Sequence, residues 1–277
     1  MQNKLKTASK HFSDRLMNKT PALFLGHGSP MNTIEADNPF NRGFRQAAEK
    51  FPKPRAILMI SAHWYSDALQ VSGSNSPGMI YDFYGFPEAL SQVKYPAPGS
   101  PELAAEVQRL LVPEPVSADN ERGFDHGTWS VLKHLYPDAD IPVVQLSLHR
   151  HRPAEWHFAL AQKLKPLREQ GVLVVGSGNI VHNLRTISFA HINQPGAAYE
   201  WAETFRRDIN QAILHHDTET LIHYPRLGEA AALSVPTPEH YLPLLYITAL
   251  RGEDDEVQLF NDEIVGGSLS MTSVLIQ

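Results

Sequence analysis

The chain has 277 residues, of which 42% are hydrophobic and 19% charged, with a formal net charge of −6 and no cysteine. That size and balance call for one large or two modest folded domains, and the acidic charge offers no footprint for nucleic acid and no polybasic membrane patch, which leaves a small molecule as the expected partner. The lack of cysteine excludes disulfides, thiolate metal sites and cysteine catalysis, so any metal must be held by nitrogen and oxygen.

Residues 1–20 are polar and lack the apolar core of a secretory signal, and no later apolar run approaches membrane-spanning length. They read as a flexible leader, and residues 21–277 as one globular domain of a cytoplasmic protein. Short apolar runs predict strands at Ala22 to Leu25, Ala56 to Ser61, Leu69 to Ser72, Val143 to Leu148, Val172 to Val175, Val257 to Phe260 and Ser268 to Ile276. Several of these runs are apolar throughout, as in a sheet covered on both faces. Longer patterns between them predict helices at Phe40 to Phe51, Pro101 to Leu111, Trp129 to Tyr136, Ala154 to Gln170, Ala197 to His215 and Glu239 to Leu250. Pro101 suits a first helical turn, with Ser100 as its N-cap. The alternation predicts an α/β sandwich with a mostly parallel central sheet flanked by helices. Asn75 to Ser100 is too rich in turn residues for regular structure and too aromatic for a solvated linker; it reads as an ordered loop beside a pocket, or as an aromatic mini-core.

Several of these elements run into a histidine. His27 stands between two glycines directly after the first strand, in Gly26-His27-Gly28-Ser29-Pro30, and His63 repeats the placement in Ser61-Ala62-His63-Trp64. Open α/β sheets gather such residues at the carboxyl ends of their strands, where ligands bind. His182 follows Gly176-Ser177-Gly178-Asn179; the third glycine of a dinucleotide fingerprint is missing, so phosphate binding is not expected there. His240 follows Pro236-Thr237-Pro238-Glu239, and either it or Glu239 can complete a site. Three or four imidazoles with at most one carboxylate suit zinc or ferrous iron rather than magnesium or calcium. His126, in Gly123-Phe124-Asp125-His126-Gly127, precedes a predicted helix and fits an acid/base role, with Asp125 beside it in sequence. Trp64, Tyr81, Phe83 and Tyr241 are candidates for packing an aromatic substrate, and His149, His151, His215, His216 and His223 read as surface or packing residues.

Taken together in order, these five motifs resemble the class III extradiol ring-cleavage dioxygenases, in the DOPA 4,5-dioxygenase branch, from Pro21 to the C-terminus. The resemblance implies a single catalytic domain over residues 21–277 with one divalent metal ion, zinc as isolated or ferrous iron for ring cleavage. Its implied partners are a small aromatic diol, a catechol such as DOPA, and dioxygen. It further implies His27 and His63 as metal ligands, His182 and His240 also approaching the metal, and His126 or His182 moving protons. A zinc hydrolase or lyase built on the same histidines, with Glu239 as base, is the alternative.

Overall fold

A computed structural model describes residues 19–277 apart from 36 and 193–195; most of the leader expected over residues 1–20 lies outside the described residues. Eight strands form the central sheet: β1 (Ala22–Gly26), β2 (Ala56–Ser66), β3 (Gln70–Ser72), β4 (Ser117–Asp119), β5 (Val143–His149), β6 (Val172–Gly178), β7 (Val257–Phe260) and, after two short strands described below, β10 (Ser273–Ile276). Their spatial order is β4-β3-β5-β2-β6-β1-β10-β7. The four central strands β5, β2, β6 and β1 run parallel, and antiparallel pairings enter where β3 meets β5 and where β10 meets β1 and β7. The expected α/β sandwich with a mostly parallel sheet is therefore observed.

The all-apolar strands are explained by two cores. Phe24, Leu58, Ile60 and Val174 pack on one face under helices Pro101–Leu111, Ala154–Gln162, Glu200–His215 and Leu242–Ala249. Their neighbours Leu23, Leu25, Ile57, Met59 and Val175 pack on the other, against helices Pro39–Ala48 and His126–Leu135. Successive strand residues point to opposite faces, so burial on both sides leaves no polar alternation to read.

Several boundaries differ from expectation. The helix expected over Ala154 to Gln170 is two helices, Ala154–Gln162 and Pro166–Glu169. Pro166 carries no N–H and cannot continue an α-helical ladder, and the bonds before it tighten to the shorter pattern, with Lys163 N–H donating to Leu160 and Leu164 to Ala161. The strand expected over Ser268 to Ile276 is interrupted: β9 (Leu269–Ser270) pairs with β8 (Ile264–Val265), and only β10 joins the main sheet. Between them Ser270 Oγ accepts from the Thr272 N–H at 3.1 Å, a local bond that replaces a ladder partner. His126 begins a helix rather than preceding one, because Asp125 is its N-cap and accepts the Thr128 N–H at 3.0 Å. His240 ends a short 3₁₀ turn, Pro238–His240, instead of lying in the helix that follows. Both readings of Asn75 to Ser100 hold in part: Leu90, Val93, Tyr95 and Ala97 are buried in the second core, while Asp82 to Phe86 face a cavity. No helix among the described residues is long and apolar enough to cross a membrane.

The chain ends of the domain are clasped together by one buried guanidinium. Arg168 pairs with Asp255 at 2.5 Å and also donates to the carbonyls of Thr20 at 2.7 Å, Leu250 at 2.9 Å and Ile276 at 3.3 Å, joining the segment before β1 to the last residue of β10. Burial by itself would raise the Asp255 carboxyl, but hydrogen bonds from Arg168, the Gly252 N–H and Lys19 hold it down at about 2. Asp255→Ala strands that guanidinium without its charge partner and is expected to cost about 3–5 kcal/mol, the usual loss when one member of a buried ion pair is removed. Urea unfolding measures this, and a loss below about 1 kcal/mol would show that the clasp carries no such role.

Candidate metal centre

The carboxyl ends of β1, β2 and β6 point to the same edge of the sheet, and each carries a histidine-bearing segment there. The backbone has to come unusually close for those segments to meet. A side chain on Gly178 would strike the His240 carbonyl oxygen, and one on Gly26 would lie 2.6 Å from the carbonyl of Met271. These glycines allow chain-on-chain contact rather than phosphate binding. His27 N–H donates to the Gly178 carbonyl at 3.2 Å and Asn179 N–H to the His240 carbonyl at 2.9 Å, which pins both histidines to the end of β6. His63 lies inside β2, within the shift of its register with β5 between Ile60 and Tyr65.

All five singled-out histidines line one cavity of about 1000 Å³. The His27 and His63 Nε2 atoms are 3.3 Å apart, and the ring of His240 has its centre 5.4 Å from that of His27 and 5.1 Å from that of His63. His126 closes on His63 with ring centres 3.8 Å apart. His182 stacks flat on His240, at 3.5 Å and 4°. Ligand atoms of His27, His63 and His126 all lie within 4.8 Å of one another, and so do those of His182, Glu239 and His240.

The outer nitrogens are engaged. His27 Nδ1 bonds Ser177 Oγ at 2.9 Å, His63 Nδ1 faces Asp82 Oδ2 at 3.3 Å, His126 Nδ1 bonds Asp82 Oδ1 at 2.9 Å, and His240 Nδ1 faces Glu239 Oε1 at 3.2 Å. A carboxylate only accepts hydrogen bonds, so the imidazoles facing Asp82 and Glu239 carry their proton on Nδ1 and present a bare lone pair at Nε2. His240 Nε2 is buried and finds no hydrogen-bond partner, whereas His126 Nε2 stays open to the cavity. The bare lone pairs of His63 and His240 converge on His27 Nε2, whose tautomer the Ser177 hydroxyl leaves free, and a cation satisfies all three nitrogens at once. The donor set therefore fits a nitrogen-preferring divalent metal.

Electrostatics favours the neutral form of His27, His126, His182 and His240. Burial, followed by the neighbouring imidazoles, pushes His27 and His240 well below the ordinary histidine value, and burial takes His182 down to about 4 against the opposing charge of Glu239. His126 is lowered chiefly by burial, in spite of its bond to Asp82. A neutral imidazole is the form that binds a metal or accepts a proton.

Glu239 does not line the cavity; it sits behind His240, where it accepts from Thr237 Oγ1 at 2.8 Å. Asp125 does not pair with His126: Ser61 Oγ donates to it at 2.7 Å and Arg122 at 2.9 Å. Of the four aromatic candidates only Phe83 reaches the cavity, where it lies edge-on to His126 with ring centres 5.8 Å apart. Trp64 is buried under the Arg122 guanidinium, the Tyr81 hydroxyl donates to Val93, and buried Tyr241 donates to the Leu221 carbonyl. Sequence reasoning missed Asp82, and also Phe40, Tyr84, Phe86 and Phe189, which complete the aromatic wall. His149, His151, His215, His216 and His223 lie away from the cavity, as expected.

A depressed histidine pKa means that the unfolded chain binds protons the folded one refuses. Stability of the metal-free protein is therefore full above the unfolded value of 6.5 and is lost as pH falls toward about 4, the His182 value. Urea midpoints measured in a chelating buffer from pH 7.5 to pH 4 are expected to fall across that window, and a flat profile would contradict the buried neutral cluster.

The family profile described as the catalytic LigB subunit of aromatic ring-opening dioxygenase matches residues 21–269. The chain is 45% identical over 269 residues to a 4,5-DOPA dioxygenase extradiol of Escherichia coli K12, covering 95% of this chain and 97% of that one. It is 38% identical to the 4,5-DOPA dioxygenase extradiol of Beta vulgaris, covering 91% and 94%. The crystal structure of an uncharacterized Escherichia coli K12 protein superposes with a TM-score of 0.81 at 41% identity, covering 94% of this chain and all of the other.

Proposed function

The chain belongs to the LigB family of aromatic ring-opening dioxygenases, and from that premise we propose that it cleaves the ring of a catechol, DOPA among the candidates, beside the two hydroxyls and with both atoms of dioxygen incorporated. The observation that carries this reading is the sealed, partnerless Nε2 of His240 beside the close Nε2 pair of His27 and His63, at the floor of an aromatic-walled cavity. In this reading His27, His63 and His240 hold the metal. His182 lies beside that trio: a lone pair lies in its ring plane, so the stacked rings of His182 and His240 aim side by side rather than at one point. Zinc stands above ferrous iron in the usual affinity order, so protein isolated in air is expected to carry zinc, with ferrous iron as the working ion.

A divalent ion held there by His27, His63 and His240 would supply a Lewis acid that makes catechol hydroxyls easier to deprotonate and, as ferrous iron, a redox-active centre between the electron-rich diol and dioxygen. The chain does the rest. Phe83 and Phe40 wall the aromatic ring of the substrate and exclude water. His126, neutral and with Nε2 open to the cavity, takes a proton from a catechol hydroxyl, while Asp82 steadies the imidazolium that results. The His126 imidazolium then returns that proton as the ring opens, while His182, neutral and in the cavity wall, can accept a hydrogen bond from the bound diol. The Glu239 carboxylate is engaged behind the ring of His240, by the His240 Nδ1 and the Thr237 hydroxyl, which disfavours a hydrolase that uses it as base.

Anaerobic loading with ferrous iron, followed by DOPA in air, is expected to consume one dioxygen per catechol and to give a yellow ring-opened product, with the zinc form nearly inactive; a zinc form as fast as the iron form would contradict the reading. Alanine at His27, His63 or His240 is expected to empty the site. His126→Phe is expected to keep its metal and slow turnover by about a hundredfold or more, the range for losing a general acid/base group. Metal analysis of the four variants distinguishes the choices of third ligand: if His126→Phe loses the metal and His240→Ala keeps it, then His126 is the ligand instead.

A further inference from the structure

Asp82 is the group in the site that no motif announced. It lies in the aromatic loop, between Tyr81 and Phe83, with a quarter of its side chain exposed. One of its carboxylate oxygens accepts both the backbone N–H and the Nδ1–H of His126, each at 2.9 Å, and the other faces His63 Nδ1 at 3.3 Å. A single carboxylate thus spans the outer nitrogens of two histidines that come from different elements, a strand and a helix start.

The loop on either side is anchored. The Tyr81 hydroxyl donates to the Val93 carbonyl at 2.7 Å, and its ring packs on Trp129 at 5.8 Å; Phe83 packs on the same indole at 6.0 Å. The backbone that carries Asp82 is therefore held on both sides, while Phe83 forms the wall that a substrate ring touches.

We propose that Asp82 is a positioning residue for ring opening: its one carboxylate fixes His63 and His126 together as Nδ1–H tautomers, so that the aromatic loop sets the metal-facing nitrogen and the proton-accepting nitrogen in one act. The chemistry follows from what each partner can do. A carboxylate has no proton to give, so both rings must donate from Nδ1 and both Nε2 atoms are left bare. An asparagine in the same place brings an N–H along with its oxygen. One of the two rings then loses its partner or turns to the other tautomer, which places a proton where a metal or a catechol proton should go.

This inference rests on the metal reading given above, and the test separates the two. In Asp82→Asn, zinc affinity measured by chelator competition is expected to fall 10- to 100-fold, the range for losing a group that orients a metal-binding histidine. With iron at saturating concentration, kcat is expected to fall at least 10-fold while KM moves less than about 3-fold, a split that a merely structural residue would not produce. If His63→Ala loses zinc and Asp82→Asn keeps both wild-type zinc affinity and kcat, the positioning role is overturned and the metal reading stands. If His63→Ala keeps its zinc, the metal reading itself fails. Histidine nitrogen NMR of the unsubstituted metal-free protein checks the role without depending on how the variant folds: His63 and His126 are expected as Nδ1–H tautomers, and an Nε2–H tautomer at either overturns it.

Discussion

Imidazole nitrogens can be made to converge only if each ring is held from behind. That is the constraint on which this site depends. Ser177, Asp82 and Glu239 occupy the Nδ1 atoms of His27, His63, His126 and His240, and the inner nitrogens are thereby turned toward one another. Left alone such an arrangement is unfavourable, because burial denies water to the lone pairs and prevents protonation from relieving them. The fold meets the cost with its two apolar cores, and a bound cation would return it, as expected where metal binding and folding are linked.

The scaffold makes that geometry possible. Parallel strands deliver His27 and the end of β6 to one edge, glycines at positions 26 and 178 let the backbones of Met271 and His240 approach, and Arg168 ties the segment before β1 to the last residue of β10. The proposed ring cleavage calls, besides the metal, for an aromatic wall and two neutral histidines that face the cavity. Both are present, and the wall and one of those histidines are linked through the loop that contains Asp82 and Phe83.

Much of this was legible in the sequence, for identifiable reasons. His27 stood out because glycines flank it, and His63 because it follows a long apolar run of the kind a fully buried strand leaves, Ile57 to Ile60. The helix from Pro101 to Leu111 was readable to the residue, since Ser100 and Pro101 mark its start. What escaped was long-range or local in ways that composition hides. Asp82 meets His126 across 44 residues of chain, and nothing near it in sequence announces the partnership. Asp125, adjacent to His126, drew attention by proximity, yet neighbouring side chains diverge and it serves as a helix cap. His63 looked like the residue after a strand, because the register break that keeps β2 going to Ser66 depends on its pairing with β5. Trp64, Tyr81 and Tyr241 are core residues, and an aromatic that will face a cavity looks the same in sequence as one that will not.

The central claim is that one metal ion is held through the Nε2 atoms of His27, His63 and His240 while their Nδ1 atoms remain bonded to Ser177, Asp82 and Glu239. A crystal structure of the zinc-loaded protein, with anomalous differences collected at the zinc edge, tests this directly. A single strong peak is expected among those three Nε2 atoms at about 2.0–2.1 Å from each, with His182 and His126 facing it from the cavity wall. A peak bound through any Nδ1, or one centred on Glu239 and away from His27 and His63, would contradict it.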